Sequence, residues 1–248
     1  MQEENENKIK EIFSIAFKNH EDKNYTIAEN YYKKVLEINS NHFETIYLLG
    51  SLFAQNNNFI KAKDYYERAA MAGDPSSSGN SCAITKHAIK GLLENHGFSV
   101  VSIKTSGSGW SSWMQNELND GVLYFNYRGY LGMSGFGTDD VDNVNNGYKL
   151  PFATVLTCGT GSFAEDQTAM SEKFFRAGTA TNPKGAVASI GTATWNTHTL
   201  FNNIVDMGIY DGIFSKNLKT AGAALVNGKL SLYNTYPENP SQMVYKFT

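Results

Sequence analysis

The spacing of apolar positions changes near residue 75 and divides the chain in two. Before that point, apolar and small residues recur every three or four positions, the period of an amphipathic helix. This predicts helices at about 6–19, 24–38, 42–55 and 58–72, with Asn-rich turns at 39–41 and 56–58. The pattern also repeats at an interval of 34 residues: Ile12 with Ile46, Ile15-Ala16 with Leu49-Gly50, Tyr25 with Phe59, Ala28 with Ala62, and Tyr32 with Tyr66. Small residues at 16, 28, 50 and 62 allow paired helices to approach closely, and large ones at 25, 32, 59 and 66 fill the space between pairs.

After residue 75, short apolar runs alternate with helical periodicity. Ile84, Ala88, Leu92 and Leu93 give Cys82–Asn95 a helical face, and Gly97 is a suitable stop. Strands are predicted at 99–103, 121–126, 151–157 and 185–190. Helices are predicted at 111–119 and 166–177, with one long or two shorter helices across 199–226. That βαβ rhythm implies an α/β domain, a parallel sheet covered by helices on both faces. The 34-residue period of the first part is similar to that of tetratricopeptide repeats, which implies an N-terminal all-α pair of helical repeats. Two repeats are fewer than the roughly three that usually bury a continuous solenoid core.

Charge sharpens the division. Residues 1–75 carry 12 acidic and 9 basic side chains, whereas the much longer 76–248 carries 12 of each. Two glycines precede residue 76 and 20 follow it, as do all three tryptophans. Ser76-Ser77-Ser78-Gly79 has neither periodicity nor a packing face and reads as a linker. The domains expected are therefore 1–75, the linker 76–79, and 80–248. With 41% hydrophobic and 18% charged residues the chain has a globular composition. A net charge of −3 offers no electrostatic attraction to nucleic acid or an anionic membrane, and no apolar run approaches the ~20 residues of a spanning helix. Cys82 and Cys158 are too few for a disulfide framework and are expected as free thiols.

The candidate chemistry lies in two segments that each run from an apolar strand into a Gly-rich turn. One is Val122-Leu-Tyr-Phe-Asn126-Tyr-Arg-Gly-Tyr130-Leu-Gly-Met-Ser-Gly-Phe136, and the other is Leu150-Pro-Phe-Ala-Thr-Val-Leu-Thr-Cys158-Gly-Thr-Gly-Ser-Phe163. A cysteine at the carboxyl end of a buried strand occupies the edge where open α/β sheets place reacting groups. Thiolate attacks carbonyl carbon readily, and backbone N–H groups of the tight 158–161 turn can face a developing oxyanion. Together the segments resemble the gingipain-type cysteine peptidases, which have a caspase-like fold. The nucleophile motif Ser/Thr-Cys-x-x-Gly-x-Phe is matched by Thr157–Phe163. The histidine motif Asn-Tyr-x-Gly-His-Gly is met by Asn126-Tyr127-Arg128-Gly129-Tyr130-Leu131-Gly132, with Tyr130 at the histidine position. The resemblance covers about 80–235 and implies a domain incomplete at both ends, since the gingipain-type domain would have a further strand before residue 80, where this chain has the repeats.

What the resemblance implies is a cysteine peptidase acting on protein or peptide substrates, with Cys158 as nucleophile and Gly129 and Gly159 as turn and oxyanion glycines. Tyr130 changes that expectation. Phenols ionise at about pH 10 and are poor bases near neutrality, so hydrolysis is expected to be impaired. His198, after the next strand, is the alternative base. No histidine has a metal-ligand spacing with Cys158, so neither a metal nor a cofactor is expected. The oxygen-rich stretch 137–147 fails the EF-hand spacing at Val144 and reads as a solvated loop. Trp110, Trp113 and Trp195 read as core aromatics. A different class of function, a non-catalytic adaptor binding a peptide partner on the helical repeats, stands as the alternative. On location the signals diverge: the family resemblance suggests export, while the acidic start Met1–Lys8 lacks the pattern of a secretory signal.

Overall fold

The computed structural model describes residues 2–40, 42–56, 67–164, 168–179 and 181–238. The chain forms two compact units, Met1–Glu67 and Arg68–Thr248.

In the first unit, helices α1 (Gln2–Glu21), α2 (Tyr25–Ile38) and α3 (Phe43–Gln55) follow one another. Ala16, Ala28, Tyr32, Leu49, Leu52 and Phe53 form its core. Ala16 and Ala28 are fully buried, as close helix approach requires of small residues. Tyr32 and His20 pair beneath them, with the ring nitrogens of His20 on Tyr32 Oη at 3.3 Å and Gln55 Oε1 at 3.1 Å.

The second unit opens with a strand where the fourth helix was expected. Residues 58–66 of that predicted helix lie outside the described residues, and Arg68–Gly73 is strand β1. Ala69-Ala70-Met71-Ala72 has helix-forming composition, but both faces of this segment are covered and both edges are paired, so tertiary context prevails over propensity. The Ser76–Gly79 linker is likewise corrected. Pro75–Ser78 is a helical turn, α4, begun by the Asp74 carboxylate accepting from Ser76 N at 3.0 Å.

The remaining elements are α5 (Asn80–Asn95), β2 (Val100–Lys104), α6 (Trp110–Asp120), β3 (Tyr124–Arg128) and α7 (Thr138–Asn143). They continue through β4 (Phe152–Val155), α8 (Met170–Arg176), β5 (Ala188–Gly191), α9 (Thr199–Phe214) and α10 (Ala221–Thr235). Thr138–Asn143, expected as loop, is helical because the Asp140 carboxylate accepts from Gly137 N at 2.7 Å and closes the first turn.

The five strands form one parallel sheet in the order β2-β1-β3-β4-β5. The order reverses between β1 and β3, and a crevice opens at such a reversal beyond the carboxyl ends of the strands. Strand alternation sends β1 residues Ala69 and Met71 to one face, against Ile89, Leu93, Val205, Ile209 and Leu232 of α5, α9 and α10. Ala70 and Ala72 face the opposite layer with Met114, Leu118, Phe125, Tyr127, Val155 and Phe174.

Candidate active site

The two Gly-rich turns come together at the carboxyl edge. β3 and β4 pair from Tyr124 with Phe152 to Tyr127 with Val155, and the pairing resumes beyond the strands in a parallel bridge between Leu131 and Cys158. Thr157 Oγ1 donates to Gly132 O at 2.9 Å and ties the turns side by side. Tyr130 therefore stands one residue from the backbone partner of Cys158, with its side chain 59% exposed.

The Cys158 turn is held against the chain that follows β5. Gly159 N donates to Thr194 O at 3.0 Å and Gly161 N to Thr192 O at 2.9 Å. The N–H of Gly159, expected to face an oxyanion, donates here to Thr194 O. Gly159 has φ +73°, and a Cβ there would sit 2.8 Å from the Trp195 ring, so glycine is required twice over. The Gly129 carbonyl accepts from Arg128 at 2.6 Å. Trp195 thus covers the Cys158 turn, whereas Trp110 and Trp113 pack on the core as expected.

Cys158 is a partly buried free thiol. Its Sγ lies 3.2 Å from Thr197 Oγ1 and 3.6 Å from Thr197 O, and Asn202 Nδ2 donates to the same hydroxyl at 2.9 Å. The Thr197 hydroxyl, with one lone pair taken by Asn202, can give its proton to a thiolate. Sequence reasoning missed Thr197 and Asn202. Their only signal was a polar run after a strand neighbouring β4.

His198 is placed next to this pair but used differently. Its Nδ1 accepts from Leu200 N at 3.2 Å and begins α9, and its ring packs on Phe201 at 5.4 Å. A neutral imidazole accepting at Nδ1 carries its proton on Nε2 and has no second lone pair. Of the other four histidines, His20 and His42 bond within the helical unit, His87 is exposed on α5, and His96 Nδ1 meets Leu92 O. Among the described residues no group of three or more His, Cys, Asp or Glu side chains is placed to hold a metal.

Behind the site lies a buried polar row. Asn126 and Arg128, two apart on β3, share the face turned to α5 and α9. Lys86 bonds both Asn126 Oδ1 and Asp206 Oδ2, and Asn126 Nδ2 donates to Asp206 Oδ1 at 2.7 Å. Arg128 donates from Nε to Asn203 Oδ1 at 2.8 Å, from one Nη to Gly129 O at 2.6 Å and Leu156 O at 2.7 Å, and from the other to Thr199 O at 3.1 Å. Both cations are fully enclosed. Burial lowers the Lys86 ammonium to about 8 against the opposing pull of Asp206, and burial also lowers the Arg128 guanidinium. At the β1 end, Tyr127 Oη meets Ser134 Oγ at 2.6 Å, and Ser134 donates to the Asp74 carboxylate.

Comparison with known proteins places this geometry. The model of peptidase family C25 matches residues 16–248. Gingipain R2 of Porphyromonas gingivalis is 25% identical over 190 residues, 73% of this chain and 26% of the relative. Gingipain R1 of the same organism is 25% identical over 190 residues, 73% of this chain and 19% of the relative. The chain thus spans about a quarter or less of these relatives. Among solved structures, the complex of the Porphyromonas gingivalis RgpB pro- and mature domains has a TM-score of 0.67 at 22% identity, covering 75% of this chain and 47% of the other. The Arg-specific cysteine proteinase gingipain R has a TM-score of 0.63 at 22% identity, covering 75% and 46%. These likenesses show the fold, which matches the caspase-like α/β arrangement expected from the sequence.

Proposed function

The chain belongs to peptidase family C25, and from that premise we propose that it is a cysteine-type peptidase domain with Cys158 as nucleophile, impaired because Tyr130 stands where the general base is needed. The observation that carries the reading is the pairing of Cys158 with Leu131 at the carboxyl edge of the sheet, beside residue 130. Attack by the Cys158 sulfur forms an S–C bond at the peptide carbonyl. The departing amine takes the proton that left the thiol, and water then cleaves the thioester to regenerate it. Each half needs a group that accepts and returns a proton near neutrality. Thr197 stabilises thiolate by donating to it but has no place for the proton. A phenol is a poor acceptor, and the Nδ1 of His198 is taken by Leu200 N. Protein or peptide substrates follow from the family.

The test is turnover of a peptide library by the chain, Cys158→Ser, and Tyr130→His, with iodoacetamide labelling of Cys158 in parallel. Cleavage near background, raised about 100-fold or more by Tyr130→His, is the expected result. Fast cleavage by the unmodified chain that disappears in Cys158→Ser would overturn the impairment, and His198→Ala would then identify the base. Cleavage indifferent to Cys158→Ser would overturn the nucleophile assignment.

The helical unit supports a second reading. Four positions from the 34-residue pattern, Ala16, Ala28, Tyr32 and Leu49, make up much of its core, in keeping with a tetratricopeptide-like repeat pair acting as a peptide-binding adaptor. Peptide capture by the full chain carrying Cys158→Ser tests it. Equal capture after charge reversals on the exposed faces of α1 and α2 would sink it.

A further inference from the structure

Four large apolar side chains stand exposed around the Cys158 turn. Tyr130, Leu131, Phe163 and Trp195 are between 48% and 65% exposed, and neither core layer includes any of them. Isolated exposed apolar residues are ordinary on a protein surface, but a cluster of them marks a place that meets another molecule. Backbone contacts make these four a cluster. Leu131 is the bridge partner of Cys158, and Tyr130 precedes it. The Trp195 ring lies against Gly159, the residue after Cys158. Phe163 closes the same turn, where Phe163 N donates to Gly161 O at 2.9 Å and Ser162 Oγ to Ala193 O at 2.8 Å. The segments that carry them, 129–136, 157–163 and 191–198, contain no Asp, Glu, Lys or Arg in a chain that is 18% charged. Two charged residues at the strand ends are engaged inside the protein. Asp74, after β1, accepts three hydrogen bonds from Ser76 and Ser134, and Arg128 is enclosed beneath.

We propose that this rim selects the peptide, taking segments with an aliphatic or aromatic side chain at the attacked carbonyl and disfavouring charged ones. An apolar side chain laid across Leu131, Phe163 and Trp195 leaves water together with theirs, which favours binding. A charged side chain laid there loses hydration and meets no partner of opposite sign within the three segments. Leu131, Phe163 and Trp195 are then specificity-determining residues. Tyr130 adds ring surface to the same rim, a use its phenol serves at neutral pH without taking up a proton. As a substrate class the inference rests on the proposed role of Cys158, whereas the binding of an apolar peptide does not.

The experiment labels Cys158 of the full chain at pH 9, where thiols ionise, with chloromethyl ketones bearing a phenylalanine, leucine, arginine or glutamate side chain. Each rate is divided by the iodoacetamide rate of the same protein, so that thiol reactivity cancels. The arginine reagent is the stringent control, because Glu165 and Asp166 follow Phe163 in the sequence. The phenylalanine and leucine reagents should be at least about tenfold faster than the two charged ones. Leu131→Ser and Phe163→Ser should each reduce that preference about threefold or more, and Leu131→Glu should move it towards the arginine reagent. Val226→Ser, at an exposed apolar position on α10, should leave it unchanged. Equal rates for all four reagents, or a faster arginine reagent, on the unmodified chain would overturn the proposal without need of any variant. A second arm measures protection of Cys158 from iodoacetamide by millimolar acetyl-Leu-Phe-amide, with acetyl-Lys-Lys-amide and acetyl-Glu-Glu-amide as controls. Only the apolar peptide should protect. Protection without labelling by any chloromethyl ketone would leave the apolar rim standing and count against Cys158 as the attacking group. Labelling without preference, and without selective protection, would overturn the rim and leave the reading of Cys158 intact.

Discussion

Gly161 and Gly191 touch through their backbones, and the position of the Cys158 turn depends on that contact. Neither has a positive φ, so alanine costs nothing in backbone conformation and the whole effect is contact. A Cβ on Gly161 would lie 2.8 Å from Gly191 C, and one on Gly191 would lie 2.7 Å from Gly161 N. Ordinary contact begins at 3.4 Å, so the turn must move away from β5 by about 0.6 Å. That displacement stretches the 2.9 Å bond from Gly161 N to Thr192 O past the limit of a hydrogen bond. Overpacking of roughly 1–3 kcal/mol plus about 1 kcal/mol for the bond gives about 2–4 kcal/mol for each of Gly161→Ala and Gly191→Ala. The gap opened by one methyl accommodates much of the other, so the double variant should cost less than the sum by about 1–3 kcal/mol. All three tryptophans lie in the second unit, and urea unfolding followed by their fluorescence therefore reads this unit alone. Gly91→Ala is the control. Gly91 is inside α5 with open space around its Cβ position, and alanine there should stabilise by about 0.5–1 kcal/mol. Costs below about 0.5 kcal/mol at 161 and 191, or strict additivity, would refute the reasoning.

Three further outcomes follow from the same structure. Lys86→Met leaves the Asp206 carboxylate enclosed without its direct cation and should cost roughly 3–5 kcal/mol, while Lys86→Met with Asp206→Leu should recover much of it; a double variant no more stable than the single, in urea unfolding, would contradict this. Burial raises the Tyr127 phenol to about 12, so the folded state keeps a proton that the unfolded chain loses above pH 10. Stability should therefore fall from pH 10 towards 12, by up to about 1.4 kcal/mol per pH unit from this group, and Tyr127→Phe should flatten that slope. Thr197→Val removes the hydroxyl on Cys158 Sγ and should slow iodoacetamide labelling at pH 7 by about threefold to tenfold through loss of one hydrogen bond to thiolate; unchanged labelling would mean the hydroxyl only accepts.

Cys158 and residue 130 were readable in sequence because each sits where an apolar run gives way to glycine, a local signal. β1 was not. Ala69-Ala70-Met71-Ala72 follows helical spacing without a break, and only pairing with Val100–Lys104 on one side and Tyr124–Arg128 on the other makes it a strand. Arg128 sat in plain view inside the Asn126–Gly132 motif, where nothing local marks it as buried. Its burial follows from a period of two with Asn126 and from Asn203, 75 positions away. Lys86 and Asp206 carry no local signal for the same reason, since a sequence does not show which helix face lies over which strand. The resemblance to the peptidase family filled that gap for the fold and left the polar row unseen.

That row has a consequence for how α9 is seated. The Thr199 carbonyl and the Asn203 side chain both hold Arg128, Asp206 holds Lys86 and Asn126, and Tyr210 meets Thr154 at 3.1 Å. An apolar helix face packs about as well after sliding one turn along its groove, some 5.4 Å. A face marked by four non-interchangeable polar contacts has one seating. Thr197 lies just ahead of this helix, so its distance to the Cys158 sulfur is set by where α9 stops sliding. The row works as an index mark between helix and sheet. A variant with the row made apolar can keep its melting temperature and still carry Thr197 out of register with Cys158.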